Sequence, residues 1–359
     1  MINIYAIGTP GSLEPYLDKM SRALDNKNIN YNMYLWSRHE YSNGIKEHVI
    51  FSKRVHGFLD KLISYILWFF CIIKHATKNT KKNDYVFCSR FDVLFSMFFV
   101  SLLKKELKIV YLDRDAAHLS WRLPKIILKI IKHVEIFLSK RCVYHVVPSK
   151  FRDYTNCENV FILPNAPSSE IVNKANGSKK FQSVRSQDKL NVYVNGWFVD
   201  TRGMQQIYQS AKLLPNVKFI MAGRLESKFS HLMVDLDNVV YLGLLSTVES
   251  LEIYKYADVV VSLYDPSIDV NKFAEPNKWY DCLVMNVPFI TNFGVITADE
   301  FVLDKLCYQI NYEESGSLKN LLNGLSLDKE DINRKIERIK KINLLSWDDS
   351  FNSLIKLLG

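Results

Sequence analysis

Two short stretches of this chain combine charge with glycine in a way that could hold an anionic group. In Asn195-Gly-Trp-Phe-Val-Asp-Thr-Arg-Gly203, Arg202 stands where a strand gives way to a helix. A helix N-terminus offers unpaired N–H groups and a partial positive charge, and an adjacent guanidinium can grip phosphate oxygens bidentately. In Ala274-Glu-Pro-Asn-Lys-Trp-Tyr-Asp281, Pro276 suits the first turn of a helix, with Glu275 at its cap. The spacing then brings Asn277, Lys278 and Asp281 near one face. Carboxylates there could accept from vicinal sugar hydroxyls while the ammonium neutralises a phosphate. The plainer readings are a surface arginine beside a turn and a capped helix with an exposed Lys–Asp pair, which is worth little.

Earlier in the chain, Tyr111-Leu-Asp-Arg-Asp115 follows an apolar run, and His118 lies just beyond it. Asp113, Arg114 and Asp115, placed past a strand's carboxyl end, would face a ligand cleft. His118 is singled out only by the pH range in which imidazole titrates. Gly8-Thr-Pro-Gly11-Ser12 could approach a ligand closely, but it is not G-x-G-x-x-G and no P-loop lysine follows. No zinc-protease, EF-hand, nucleophile-elbow or kinase signature occurs.

The elements that must position these residues alternate. Ile2–Ile7 reads as a strand, followed by a glycine turn and a helix from Leu13, the opening of a doubly wound α/β domain. Short apolar strands at 31–36, 84–89, 108–112, 143–147 and 160–163 are separated by helical stretches at 56–78, 91–104 and 121–141. Such an alternation implies a parallel sheet with right-handed crossovers. The rhythm restarts at Leu190, with strands at 190–194, 218–222, 239–242, 259–263 and 288–291 and helices at 204–214, 248–257 and 277–284. From Asp328 the chain reads as helical nearly to its end.

At about 150 residues per domain, 359 residues suggest two domains. The expected boundaries are 1–170, a polar linker at 171–188, a second domain at 189–340, and a C-terminal helix at 341–359 that could return to the first domain. A hydrophobic fraction of 48% supports full-sized cores. The net charge of +9 is uneven: residues 1–160 hold 25 basic and 14 acidic side chains, and the remainder 22 and 24. The basic half is therefore expected to face something anionic. It lacks any helix-turn-helix, zinc-finger or RNP pattern, so nucleic acid is not the expected partner.

The six cysteines form no C-x-x-C pair, which suits a reduced, cytoplasmic compartment, and the N-terminus carries no signal-peptide pattern. The longest apolar run, Leu62–Ile73, is shorter than the roughly 20 residues a bilayer span needs. Its helix, with Trp68-Phe-Phe70, and the 121–141 helix are expected to pack their apolar faces on the sheet. Only cationic flanks would then remain to attract lipid headgroups.

Taken in order, Val192-Tyr-Val-Asn-Gly196, Arg202-Gly203, Ile220-Met-Ala-Gly223, Asn238-Val-Val-Tyr-Leu-Gly243, Ile253-Tyr-Lys-Tyr-Ala-Asp258 and Glu275-Pro-Asn-Lys278-Trp-Tyr-Asp281 resemble the nucleotide-sugar half of GT-B glycosyltransferases of the family 4-like group. The first half resembles the matching acceptor domain through its glycine turn, Arg114-Asp115, Val147-Pro-Ser149 and Leu163-Pro-Asn165. The resemblance implies two Rossmann-like doubly wound domains facing across a cleft. It implies catalytic roles for Arg202, Lys278, Glu275 and Asp115. Donor contacts would come from Gly11, Ser12, Gly196, Arg202, Gly223, Arg224, Leu242, Gly243, Glu275, Pro276, Asn277, Lys278 and Asp281, and acceptor-side contacts from Asp113, Arg114 and His118. Asp281 stands where the family has a second Glu, and Trp197 where an Arg often stands.

The implied activity is transfer of a sugar from a UDP- or GDP-type donor to a growing oligosaccharide on a polyprenyl-diphosphate carrier. Such a step would serve capsule, O-antigen or exopolysaccharide synthesis at the inner face of the cytoplasmic membrane, with neither metal nor cofactor. A GT-B nucleotide-sugar epimerase and an inactive sugar-binding partner of an assembly complex are the alternatives.

Overall fold

The computed structural model describes every residue except Gly11, Ser12, Glu14, Ser42, Asn43, Asp115, Arg122, Asn343 and Leu345. The chain divides into two compact units, Met1–Leu163 with Ser350–Gly359, and Pro164–Asp349.

The first unit opens with β1 (Ile2–Ile7), α1 (Pro15–Asn26), β2 (Tyr31–Ser37) and β3 (Glu47–Ser52). It continues with α2 (Gly57–Asn79), β4 (Tyr85–Cys88), α3 (Phe91–Leu103) and β5 (Lys108–Leu112). A short α4 (Ala117–Ser120), then α5 (Lys125–Ser139), β6 (Tyr144–Val147) and β7 (Val160–Ile162) complete it. The seven strands pair in the order β3-β2-β1-β4-β5-β6-β7, all parallel. The order reverses between β1 and β4, the doubly wound pattern.

The second unit runs through α6 (Ser169–Gly177), β8 (Leu190–Phe198), α7 (Met204–Leu213), β9 (Val217–Leu225), α8 (Lys228–Val234) and β10 (Val239–Tyr241). Then come α9 (Thr247–Ile253), β11 (Val259–Val261), α10 (Asp269–Lys272), α11 (Asn277–Val284) and β12 (Phe289–Asn292). It ends with α12 (Asp299–Leu303), β13 (Cys307–Ile310), α13 (Ser317–Leu327) and α14 (Glu330–Ile339). Its six parallel strands pair as β10-β9-β8-β11-β12-β13, again reversing beside the first strand of the unit. The closing helix α15 (Trp347–Leu357) starts in this unit, and its residues from Ser350 group with the first. There, Tyr85 Oη donates to the carbonyl of Leu358.

Several elements differ from their sequence expectation. Helix α5 starts at Lys125, not near Trp121, because Pro124 holds the preceding backbone out of the helical region and itself sits at the cap with φ −53° and ψ 141°. The stretch 171–188, expected as a linker, carries most of α6 and is pinned down. The buried Glu252 carboxylate accepts from Phe181 N at 2.9 Å and from the Ser178 hydroxyl, and Lys255 Nζ donates to the Ala175 and Asn176 carbonyls at 2.9 and 3.0 Å. The lysine adds to the Ser178 N–H in satisfying the last carbonyls of the helix. Strand β3 pairs only at the sheet edge and its side chains are half-buried, so it shows none of the buried run by which the other strands are legible.

The residues after β5 are held by partners within the unit, and Asp113 and Arg114 line a small cavity there. Asp113, expected to face a ligand, is only 3% exposed. Its carboxylate accepts from Ala116 N at 2.9 Å and Tyr154 Oη at 2.7 Å, and lies 3.2 Å from His145 Nε2. Burial alone would raise its pKa, but the hydrogen bond and charge of His145, with Arg152 and the Tyr154 hydroxyl, hold it below the ordinary carboxylate value. His118 is likewise used up: Nδ1 lies 3.0 Å from Oε2 of the fully buried Glu135, whose other oxygen accepts from Tyr111 Oη at 2.6 Å. Arg114 stacks its guanidinium on Tyr16, 4.1 Å from the ring centre. Asp113 and Glu135, with the side chains they bind, build buried polar clusters. Asp113→Ala is therefore expected to cost about 3 kcal/mol of stability, because it strands two buried donors and an imidazole. A urea titration checks this, and a wild-type midpoint would contradict it.

Candidate functional site

The second unit concentrates its unused polarity at the carboxyl end of β8 and β9. Both strands run further than their apolar runs suggest, to Phe198 and Leu225, and keep register with Gly196 opposite Gly223. The reason is a close backbone approach. Gly223 has φ +149°, and a Cβ on it would overlap the Gly196 carbonyl. Gly223 N–H donates to the Gly243 carbonyl at 2.9 Å, tying the β9 end to the turn after β10. The result is a cleft of about 450 Å³ lined by Asn195, Gly196, Trp197, Gly223, Arg224, Leu244 and Ser250 among others.

One wall comes from α9. Ser246 and Glu249 form a capping box at its start: Ser246 N donates to Glu249 Oε2 at 2.9 Å and Glu249 N donates to Ser246 Oγ at 3.3 Å. Such a cap is worth about 1 kcal/mol. It positions Ser250 and, one turn on, Tyr254. Asn195 Nδ2 donates to Tyr254 Oη at 3.1 Å, while Asn195 Oδ1 is buried with no partner among the described residues. An orphaned acceptor at the cleft costs free energy unless a ligand supplies a donor.

One cation, Lys278, comes from α11 and the other, Arg202, from the turn before α7. Pro276 caps α11, so the cap falls one residue later than expected and Glu275 lies outside the helix. Lys278 Nζ donates to the Asn195 carbonyl at 2.8 Å, and a Cβ on Gly196 would sit 3.8 Å from the same ammonium. Burial, and then the nearby charge of Arg202, lower the pKa of Lys278 to about 8. Arg202 packs its guanidinium on Tyr264, 4.1 Å from the ring centre, and donates to Asn271 Oδ1 at 3.3 Å. Among the described residues neither cation forms a salt bridge with a carboxylate. Gly203, at φ +71°, lets the chain turn into α7 against Leu263, where a Cβ would come within 2.7 Å.

The two carboxylates of the stretch are held by tyrosines. Tyr280 Oη donates to Glu275 Oε1 at 2.6 Å, and Tyr254 Oη lies 3.5 Å from Asp281 Oδ2. Asn277 is exposed in the first turn of α11, and Leu242 N bonds back to Met221 in the sheet at 2.8 Å. Arg224 is paired with Glu226 at 2.9 Å on the rim. The structure thus places Gly196, Gly223 and Arg224 on the cleft, bonds Gly243 to Gly223 and Lys278 to Asn195 beside it, and sets Arg202 close enough to bias the lysine. Gly11, Ser12 and Asp115 lie outside the described residues.

Two features were missed from sequence. Trp197, taken as a replaced arginine, lines the cleft with 59% of its surface uncovered. In the first unit, a cavity of about 900 Å³ past β2 and β3 is lined by Arg38, His39, Arg54 and three other residues. Arg38 stacks on Trp36 at 4.6 Å and donates to Tyr65 Oη at 3.3 Å, yet its buried Nε has no partner among the described residues. The cavity could not be found without knowing that β3 pairs with β2, which brings Arg38 and Arg54 together.

No protein-family model and no curated protein sequence matches the chain. Solved structures do. Sucrose-phosphate synthase from Thermosynechococcus elongatus superposes with a TM-score of 0.67 at 12% identity over 99% of this chain and 98% of that one. Anabaena HepE in complex with UDP-glucose gives 0.65 at 12% identity, over 99% of each chain. An α,α-trehalose-phosphate synthase (UDP-forming) from Burkholderia vietnamiensis gives 0.66 at 9% identity, over 99% and 100%. The chain has the GT-B fold. Both of its sheets carry the Rossmann-like strand order of that fold. In a doubly wound sheet of this kind ligands bind past the carboxyl ends of the strands at the order reversal, which in the second unit is where β8 ends.

Proposed function

We propose that this GT-B protein is a glycosyltransferase that takes a sugar from a UDP- or GDP-type nucleotide sugar. The reading is carried by Arg202 and Lys278, two cations without a carboxylate salt bridge among the described residues, near a cleft with an unpaired acceptor on its wall. Breaking the anomeric C–O bond places positive charge on the sugar and negative charge on the departing diphosphate. A guanidinium and an ammonium fixed before reaction, together with the first N–H groups of α11, stabilise that negative charge without reorganising. Glu275 and Asp281 are positioned by tyrosine hydroxyls to accept from donor hydroxyls. Trp197 offers an apolar surface for the base or the sugar.

The acceptor proposed is an oligosaccharide on a polyprenyl-diphosphate carrier, made for a surface polysaccharide at the inner membrane face. Its supports are the basic first half and the cavity lined by Arg38 and Arg54 together with Glu40, where a guanidinium would pair with a phosphate. A thermal-shift screen of nucleotide diphosphates and nucleotide sugars is the first test, since a ligand stabilises the state that binds it. Binding of none of them would refute the donor reading. With a diphosphate-linked acceptor, Arg38→Ala is expected to raise the acceptor KM by about tenfold, leaving the donor KM unchanged. Equal effects on both would contradict the assignment. Turnover is expected to persist in excess EDTA, and its loss would show that a divalent ion carries the charge instead.

A further inference from the structure

Three helices of the first unit expose an apolar face that nothing in the donor chemistry uses. Helix α2 buries only the stripe of Ser64, Trp68, Ile72 and Ala76. Its other flanks, including Leu62, Ile66 and Phe70 (61% exposed), look outward. Ile126 (72% exposed) and Ile130 of α5 and Leu103 of α3 do the same, contrary to the expectation that these faces pack on the sheet. Among the described residues, half of the large apolar side chains that the protein exposes lie on these three helices. Scattered apolar side chains are ordinary, but a contiguous group of this kind marks an interaction surface.

The face is continuous. Phe69 of α2 meets Phe95 and Phe99 of α3 with ring centres 5.7 and 5.5 Å apart, and Phe98 of α3 meets Phe137 of α5 at 6.0 Å. Its charge is one-sided. Each acid on the three helices is engaged: Asp60 pairs with Lys53 at 2.7 Å, Asp92 with Arg90 at 3.2 Å, and Glu135 is buried. Lys61, Lys74 and Lys78 of α2 and Lys125 and Lys129 of α5 are exposed.

We propose that this face seats the protein on an anionic lipid bilayer, with α2 and α5 lying in the interface, the isoleucines, leucines and phenylalanines among the acyl chains, and the lysines among the headgroups. An apolar stripe flanked by lysines is what such helices require. No helix among the described residues is long and apolar enough to cross a membrane, so the helices lie along the surface. A second copy of the chain is the poorer occupant, because two lysine-flanked faces would repel as they met. The inference deepens the lipid-linked acceptor reading and does not depend on the donor site.

The test uses the full chain and vesicles, with no sugar present. Co-sedimentation is expected with phosphatidylcholine vesicles containing phosphatidylglycerol, and at least about tenfold less with phosphatidylcholine alone. High salt should weaken binding without abolishing it, since insertion of apolar side chains is not screened. Ile130→Trp should show a blue-shifted emission on adding anionic vesicles. Ile126→Glu with Ile130→Glu should reduce binding by about tenfold or more while leaving the melting temperature and nucleotide binding unchanged. Unchanged emission from the Ile130→Trp protein, wild-type binding by the glutamate variant, or a stable dimer in solution that shields Ile130 would each overturn the proposal. Failure of nucleotide binding alone would overturn only the donor reading.

Discussion

Arg202→Ala and Lys278→Ala are each expected to lower kcat/KM for the nucleotide sugar by about 10²–10³-fold, with the fold intact. That is the usual cost of removing one fixed donor from a site where charge develops in the transition state. The fold should survive because neither cation sits in a stabilising salt bridge: Arg202 rests on Tyr264 and Lys278 on the Asn195 carbonyl. The lysine adds a pH signature. With its pKa lowered to about 8 by burial and by Arg202, it is charged below that pH and neutral above it. Only the charged form helps hold a diphosphate, so kcat/KM for the donor should be level below about pH 8 and fall above it. Lys278→Arg should keep much of the activity and push that fall beyond the accessible range, because a guanidinium does not titrate there. Wild-type turnover in Arg202→Ala, or an unchanged pH profile in Lys278→Arg, would remove the basis of the donor site.

Gly223→Ala should be the most damaging single-methyl change in the second unit. At φ +149° the backbone is already closed to other residues, and the added Cβ would overlap the Gly196 carbonyl across the β8–β9 pair. Relief requires the two strand ends to part, opening the cleft at its base. A loss of about 3 kcal/mol or more in a urea titration is expected, together with loss of nucleotide binding. Gly243→Ala is the control. It shares a positive φ of +74° but has nothing within 4 Å of the new methyl, so it should cost only about 1–2 kcal/mol. A Gly223→Ala protein as stable as the Gly243→Ala protein would show that the close approach is not needed.

How far each part was legible follows from how local its cause is. Strands β1, β4, β5, β8 and β11 are apolar runs that need no neighbour to be recognised, and their alternation with helices implies a parallel, doubly wound sheet. The Glu275–Asp281 stretch could be placed at a helix start because proline at a helix N-terminus is a local matter. Edge strand β3, strand β13 and helix α8 were not recognised, since their half-buried patterns acquire meaning only from what they pack against.

The sequence by itself determined the two α/β units, the asymmetry of charge, and which cations stand at strand and helix ends. These depend on periodicity and composition, which act over a few residues. Tertiary structure alone decided which polar groups are spent and which are free. Asp113 and His118 look alike in the chain, and only the fold shows that distant His145, Tyr154 and Glu135 hold them. Arg202 and Lys278 look no more special, yet folding leaves them without a carboxylate salt bridge among the described residues, near an orphaned Asn195 oxygen. The apolar faces of α2 and α5 have the periodicity of packed helices. That they remain uncovered is settled by the sheet surface available to them, and one strip per turn of α2 is all that the sheet accepts.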